Sequence, residues 1–229
     1  MMINKNILIK NARKEFNEFE DLTLYKKDTS SVRLTILIRT CNRKALFDTC
    51  MRSICSQTHK NIRIVVAYVE GTANYVNDYD VEHLILAAGN EGTSFFYNGH
   101  CNALLDYAGH TGWTMFMDDD DEYFDDRAFE IICRCILKGT TNNVYCWKFL
   151  RADKVIYPDK IYRIRYGQID TAMVCFHSKF RAHRWPMQKG GDFCFFSQFW
   201  KLCDPIRIPI VLVTCQYDDK ICGNGQCLG

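Results

Sequence analysis

The chain has 229 residues, of which 48% are hydrophobic and 24% are charged, enough apolar sequence for a sizeable core in one large domain or two small ones. Its formal net charge of +2 lacks the strong basic excess of a dedicated nucleic-acid binder. Residues 1–30 are too charged for a secretory signal, and no run of about 18 or more apolar residues exists, so we expect a cytoplasmic protein without a membrane span.

The first half of the sequence shows strands alternating with helices. Residues 1–30 mix short apolar stretches with charge, and we interpret them as an extension packed on a domain at 31–229. Residues 32–39, VRLTILIR, are β-branched and almost continuously apolar, which suits a parallel strand covered on both faces. After the polar turn TCNRK, residues 45–56 have helical spacing and NIRIVVAY reads as a second strand. This pattern predicts a right-handed βαβ unit in a parallel sheet.

The next elements lead to a run of four aspartates. A short strand is expected at 81–87, then a helix at about 94–108 capped by Thr93 or Ser94. The strand GWTMFM ends directly in DDDD, Asp118 to Asp121, and a helix at about 125–137 follows. Beyond it, the stretches VYCWKFLRADKVIY, YRIRYG and IDTAMVCFHSKF favour antiparallel strands. The stretch GGDFCFFSQFWKLC favours a helix, and IRIPIVLVTCQY favours a last strand.

Thirteen cysteines occur without a C-x-x-C pair of the kind that zinc sites use. Most stand among apolar residues, which predicts free, buried thiols. A clip between Cys222 and Cys227 is the alternative.

The aspartate run stands where open α/β sheets bind ligands, outside the carboxyl end of a strand. Carboxylates are preferred ligands of Mg²⁺ and Mn²⁺, which complete their coordination with phosphates and water. The run therefore points to a cation that bridges to a diphosphate. The alternative is a solvated acidic turn next to a helix N-terminus.

Three stretches together resemble the GT-A fold glycosyltransferases, particularly the inverting enzymes of family 2. LTILIRTCNRKALFDTCMRSICSQTHKNIRIVVA is similar to the opening strand, Asn-Arg turn, helix and second strand of that family. NEGTSFFYNGHCNALLDYAGHTGWTMFMDDDDEY resembles its Asn-x-Gly, its helix asparagine and its strand ending in a DxD motif. GGDFCFFSQFW is similar to its late Gly-Glu-Asp segment. The resemblance covers about residues 32–204.

The resemblance implies a fold and a reaction. The fold is α/β, a Rossmann-like, mixed and mainly parallel sheet flanked by helices. It has a nucleotide-sugar half at about 31–122 and a smaller antiparallel acceptor half at about 123–215. The reaction is metal-dependent sugar transfer, with inversion, from a nucleotide-diphosphate donor to a hydroxyl of a glycan or other acceptor. Uridine is the first choice of base. The chain can also be one domain of a longer polypeptide.

The resemblance also assigns roles to individual residues. Asp118 matches the DxD aspartate that contacts the sugar region of the donor nucleotide, and Asp120 matches the one that coordinates the metal, with Asp118 as a second metal ligand. Asp121 takes the place of Asp120 if the register shifts by one. Asp192 matches the catalytic base, although Gly191 stands where the family has glutamate; the alternative makes Asp192 a helix cap. Further donor contacts are expected at Thr40, Asn42, Arg43, Glu70, Asn98, Asp118 and Asp119.

Several of these residues have structural alternatives. Arg43 can be a solvated surface charge and Asn98 an exposed helix residue. The chain has AYVEGT where the family reads uracil with Asp-Asp-Gly-Ser, so Glu70 or Tyr68 would take that part or be purely structural. Trp185 is either an acceptor platform or core. The cationic stretch FHSKFRAHRWP either closes on the diphosphate or is structural.

Two other function classes stay open. A nucleotidyltransferase on the same fold would favour a glycine-rich phosphate loop, and RTCNRKA has no glycine. A non-catalytic module that binds a cation or nucleotide is the other class. The acidic run lacks the spacing of an EF-hand.

Overall fold

The computed structural model describes residues 5–23, 28–87, 95–110, 112–151, 154–158, 160 and 162–216. The expected Thr93 or Ser94 helix cap and the Cys222–Cys227 clip lie outside these residues. None of the helices in the described ranges is long and apolar enough to cross a lipid bilayer.

Four parallel strands form one half of the sheet. The central strand β1 pairs with β2 on one side and β4 on the other, and β2 pairs with β3. Helix α2 joins β1 to β2, and helix α3 precedes β4. The core positions of β1 are fully buried, as expected for a strand covered on both faces. The bounds are β1 Leu34–Arg39, α2 Lys44–Cys55, β2 Ile62–Val69, β3 Glu82–Leu86, α3 Phe96–Ala108 and β4 Trp113–Asp118.

The same sheet continues beyond β4 with mixed pairing. The full order is β3-β2-β1-β4-β8-β6-β9-β5, with β7 paired to β6. Strand β8 runs antiparallel to β4 and β6, while β6 and β9 are parallel. This confirms the predicted α/β fold with a mixed sheet flanked by helices. The bounds are β5 Asp121–Tyr123, α4 Ala128–Ile136, β6 Asn143–Arg151, β7 Lys154–Ile156, β8 Val174–His177, α5 Gly191–Trp200 and β9 Asp204–Cys215.

Some local predictions differ from the structure. YRIRYG contributes an isolated bridge between Lys160 and Arg163 and no strand among its described residues. In IDTAMVCFHSKF, two 3₁₀ turns, Thr171–Met173 and Ser178–Phe180, flank a four-residue strand. The end of the aspartate run enters a short strand, β5, which pairs antiparallel with β9. Short polar strands of this kind carry little periodicity for the sequence to reveal.

The N-terminal extension contains helix α1, Lys5–Thr23, which packs against the sheet. Ala12 contacts an apolar cluster with Leu150 of β6 and Val211 of β9. Phe16 is buried in the main core, and the Arg127 guanidinium lies 5.0 Å from the centroid of its ring. Burial of this apolar stripe explains why a charged segment forms a helix there.

The cysteines divide into two groups. Nine of those in the described ranges are free, and six of the nine are buried: Cys50, Cys101, Cys133, Cys146, Cys175 and Cys203. Cys41 and Cys215 are disulfide-bonded, so the expectation of free thiols is wrong for these two. Cys41 lies two residues after the last residue of β1, and Cys215 lies opposite Asp121 in the β5–β9 ladder.

Candidate active site

The acidic run lies at the point where the strand order of the sheet reverses. From β1 the chain builds outward through β2 and β3, then returns to add β4 on the opposite side of β1. A reversal of strand order of this kind opens a crevice at the carboxyl ends of the strands, where α/β sheets bind ligands. Arg39 and Asp118 are the last residues of β1 and β4, and they are register partners.

Arg39 holds Asp118 with a two-pronged ion pair. Its Nε lies 2.7 Å from Asp118 Oδ1, and its Nη2 lies 2.9 Å from Oδ2. The guanidinium also lies 4.5 Å from the centroid of the Tyr97 ring, on α3. The side chains of Arg39 and Asp118 are only 16% and 19% exposed. Asp118 is thus held at the end of β4 by the positive charge of the Arg39 guanidinium.

Asp119 is fully buried and anchors the turn after β1. Its carboxylate accepts a hydrogen bond from Thr40 Oγ1 at 2.6 Å and pairs with the Arg43 guanidinium, whose Nε lies 3.2 Å from Oδ2. Thr40 Oγ1 also lies 2.8 Å from the Tyr75 hydroxyl. Burial raises the pKa of Asp119 to about 7, against the opposing effect of Arg43. Thr40, Arg43 and Asp119 therefore form one buried network, in which Arg43 alone keeps a partly exposed side chain.

The last two aspartates of the run have different surroundings. Arg43 Nη1 lies 3.5 Å from Asp120 Oδ2, so Asp120 shares that guanidinium with Asp119. Asp121 is 3% exposed, and its carboxylate accepts no hydrogen bond from the residues that the structure describes. Burial raises the pKa of Asp121 well above its ordinary value, and the neighbouring Asp120 raises it further. A buried carboxylate without a partner is unfavourable unless a cation or a proton joins it.

A third carboxylate, Asp170, meets Asp118 and Asp121. One carboxylate oxygen from each of the three lies within 4.8 Å of the other two. Burial raises the pKa of Asp170 to about 7, and the charge of nearby Asp192 adds to the rise. Arg151 Nη1 is 3.9 Å from Asp170 Oδ2, and its positive charge lowers the pKa of Asp170 against this rise. Three oxygens at this spacing match the hard oxygen ligands that Mg²⁺ and Mn²⁺ take in proteins.

Sequence reasoning missed Asp170. It lies in GQIDTAM, just before the 3₁₀ turn that precedes β8, far along the chain from the aspartate run. An isolated acid in a stretch without periodicity carries no local signal. Only the pairing of β8 with β4 brings it to the site.

Asp192 occupies the first turn of α5. The N-cap position belongs to Gly190, whose φ is 70°, and no side chain caps the helix. Asp192 Oδ1 instead accepts the N–H of Phe193 at 2.7 Å. The alternative of an N-cap role is therefore not the one this helix uses. Burial raises the pKa of Asp192; the Phe193 N–H opposes this rise, and the charge of Asp118 adds to it.

The remaining expected donor contacts are spread around this edge. Asn42, in the turn after β1, is exposed and has a φ of 49°, which asparagine tolerates better than most residues. Glu70 is exposed just beyond β2. Tyr68 is buried, and its hydroxyl lies 3.1 Å from His83 Nδ1, so its ring offers no open face for stacking. Asn98 is fully buried, which rules out the exposed-helix alternative.

The cationic stretch lies away from the acids. His177 is the register partner of Trp113, at the start of β4, whereas Asp118 ends that strand. Arg181 donates to His110, and Arg184 donates to Asp106. These contacts give the stretch a structural part at the opposite end of β4.

Trp185 belongs to the core. It is 2% exposed, and its ring stacks on Phe195 with centroids 4.9 Å apart at 11°. The interpretation of Trp185 as an acceptor platform is wrong.

The fold resembles that of GT-A glycosyltransferases, as the sequence predicted. Solved structures of S. aureus TarS are similar to it. Full TarS matches with a TM-score of 0.64 and 13% identity over 81% of this chain and 37% of TarS. TarS 1–349 in complex with UDP-GlcNAc matches with a TM-score of 0.63 and 12% identity, over 80% of this chain and 58% of that one. The chain thus spans well under two thirds of these proteins.

A mannosyltransferase, PcManGT from Pyrobaculum calidifontis, is similar over more of the chain. Its structure in complex with GDP-Man and Mn²⁺ matches with a TM-score of 0.59 and 14% identity, over 95% of this chain and 68% of that one. No family model and no curated protein matches the sequence. At these identities the comparisons establish the fold alone.

Proposed function

We propose that the chain transfers a sugar, with inversion, from a nucleotide-diphosphate donor to a hydroxyl of a glycan or other acceptor, and that the donor is a UDP-sugar. The observation that carries this proposal is the cluster of carboxylates at the switch point of a GT-A fold. Two similar structures support it, because TarS 1–349 was solved with UDP-GlcNAc and PcManGT with GDP-Man and Mn²⁺.

The donor set fits a divalent cation. Asp118, Asp121 and Asp170 supply three oxygens close together, and Asp121 is a buried acid whose carboxylate has no hydrogen-bond donor among the described residues. A Mg²⁺ or Mn²⁺ ion held there would neutralise charge that develops on a diphosphate leaving group. We assign the ion to these three residues. Asp120 is a weaker candidate because it shares Arg43 with Asp119.

Asp192 is the proposed general base. The charge of Asp118 raises the pKa of Asp192, and the charge of Asp192 raises the pKa of Asp170, so this carboxylate lies near two of the candidate metal residues. As the acceptor oxygen forms its bond to the anomeric carbon, Asp192 takes the hydroxyl proton, and the bond from that carbon to the diphosphate breaks. Attack on the face opposite the diphosphate inverts the configuration. A raised pKa suits this part, because a stronger base takes the proton more readily while it is still ionised near neutral pH.

The test is titration calorimetry with UDP-GlcNAc, UDP-glucose and GDP-mannose, each with and without Mn²⁺. We expect Mn²⁺-dependent binding of a UDP-sugar, weakened about tenfold or more in Asp121→Asn, since the loss of a ligand should cost at least as much as the loss of its supporting group. The matched control is Asp126→Asn, which removes an exposed acid a few residues further on. Asp120→Asn, measured in parallel, tells whether Asp120 or Asp121 is the metal ligand.

Two results would count against the proposal. If the wild type and Asp121→Asn bound the UDP-sugar with equal Mn²⁺-dependent affinity, the assignment of the metal ligands would be wrong. If no nucleotide sugar bound under any condition, the chain would be a non-catalytic module in which Arg39 and Arg43 neutralise the first three aspartates of the run.

A further inference from the structure

One face of α3 holds the segment that leads into the candidate base. Asn98, Asn102 and Asp106 are spaced by four residues, so they lie along one face of the helix. Each of the three contacts the segment 184–188, which runs into Gly190, Gly191 and Asp192. We propose that Asn98 is a positioning residue that sets the place of Asp192 through its contact with Gly191. This inference rests on the function proposed above.

The hydrogen bonds between α3 and the segment are direct and paired. Asn98 Nδ2 donates to the carbonyl oxygens of Pro186 at 2.7 Å and Gln188 at 3.0 Å. Asn102 Nδ2 donates to Trp185 O at 2.9 Å, and Asn102 Oδ1 accepts the Trp185 N–H at 2.9 Å. Arg184 Nη2 donates to Asp106 Oδ1 at 2.8 Å. The backbone of the segment therefore takes its position from α3.

The same asparagine also fills the space beside Gly191. A Cβ atom at position 191 would lie 2.5 Å from Asn98 Nδ2 and 2.8 Å from both Cγ and Oδ1. Asn98 is fully buried and has both Nδ2 bonds committed, so its side chain has no room to withdraw. Only glycine allows the start of α5 to approach α3 this closely. Position 191 must therefore be glycine for this packing, and Asp192, the next residue, takes its position from the same close contact.

The test is a double-mutant cycle on Gly191→Ala and Asn98→Ala. Alanine is a better helix former than glycine, so any loss in Gly191→Ala must come from the clash with Asn98. Gly99→Ala is the matched control, because its Cβ would meet only the exposed Met187 side chain at 3.9 Å. The assay is hydrolysis of UDP-GlcNAc with water as acceptor, together with the dissociation constant for the same donor and the pH profile of turnover.

We expect Gly191→Ala to lower kcat about tenfold or more while donor affinity stays within about twofold, as for a residue that acts only through the base. The double variant should be no slower than Asn98→Ala alone, because the alanine costs nothing once the asparagine side chain is gone. Gly99→Ala should match the wild type. Additive losses in the double variant, or a Gly191→Ala enzyme with normal kcat, would overturn the inference.

Hydrogen exchange separates this inference from the function beneath it. We expect the amides of residues 187–194 to exchange about tenfold faster in Gly191→Ala than in the wild type, and adding the alanine to Asn98→Ala to cause no further increase. If the wild type hydrolysed no donor, the proposed function would fail while this measurement still tested the contact. Unchanged exchange in Gly191→Ala would refute the contact itself.

Discussion

The ion pair between Arg39 and Asp118 makes a prediction about stability and metal binding together. Arg39→Met keeps an apolar stem but removes the guanidinium that satisfies both oxygens of Asp118. Asp118 then lies unpaired beside Asp121 and Asp170. The apo protein should lose stability, and the three acids should bind a cation more tightly, because a fixed positive charge has left their surroundings.

The magnitude follows from the burial of the pair. Removal of one partner from a buried ion pair costs about 3–5 kcal/mol. Both side chains retain some exposure, 16% for Arg39 and 19% for Asp118, so we expect the lower end, about 3 kcal/mol. If half of that loss is recovered when Mn²⁺ binds, the dissociation constant for Mn²⁺ falls about tenfold, since about 1.4 kcal/mol corresponds to a factor of ten.

Urea unfolding followed by circular dichroism, with and without Mn²⁺, measures both effects in one series. Arg63→Met is the matched control. Arg63 makes the same two-pronged contact, with Nε and Nη2 at 2.7 and 2.6 Å from the oxygens of Glu82, between β2 and β3. Glu82 is 42% exposed, so this variant should lose only about 1 kcal/mol, as for a pair near the surface, and should keep the Mn²⁺ affinity of the wild type. Weaker Mn²⁺ binding in Arg39→Met would refute the reasoning, because it would make Arg39 a support of the metal site instead of its competitor.

Three further outcomes are expected. The free energy of unfolding of the apo protein should fall as pH rises from about 4 to 7, because the folded chain holds protons on Asp119 and Asp170 that the unfolded chain has released; urea midpoints across pH should show this slope, and Asp170→Asn should make it shallower. Asp192→Asn should bind donor normally by calorimetry but turn it over about 100-fold more slowly or worse, and normal turnover would exclude Asp192 as the base. Glu70→Ala should lower the affinity for a UDP-sugar about tenfold and leave the affinity for Mn²⁺ unchanged in the same titrations. An unchanged affinity for the UDP-sugar would show that Glu70 does not recognise the nucleotide base.

The parallel half of the sheet was predictable because its signals are local. Residues 32–39 and 61–68 are apolar runs bounded by polar turns, and the helix between them has one apolar stripe. Each element can therefore be predicted from its own residues alone. The structure places β1, α2 and β2 within a residue or two of those predictions. The position of the acids followed from the same logic, because an apolar strand that runs into four aspartates leaves little doubt about where the strand ends.

The contacts that complete the site were not predictable, because they join distant parts of the chain. Arg39 reads as the last residue of an apolar strand, and its partner emerges only when β4 pairs in register beside β1. Asn98 reads as a helix residue, and the segment that it holds lies about ninety positions further on. A single polar residue in each case carries a long-range contact, and sequence periodicity reports only on neighbours.

The charges around the run decide which aspartate is free to bind a cation. Asp118 and Asp119 each face a guanidinium, and Asp120 shares the one that Asp119 holds. Asp121 is the buried member of the run whose carboxylate receives neither an ion pair nor a hydrogen bond from the described residues. A DxD spacing read from the sequence alone favours Asp118 with Asp120, because it assumes that all four side chains are equally available. Since Arg39 at the end of β1 and Arg43 in the turn after it already neutralise the earlier positions, the electrostatic need for a dication is greatest at the fourth. An oxygen of Asp170 lies within 4.8 Å of one from Asp121 and can share that dication.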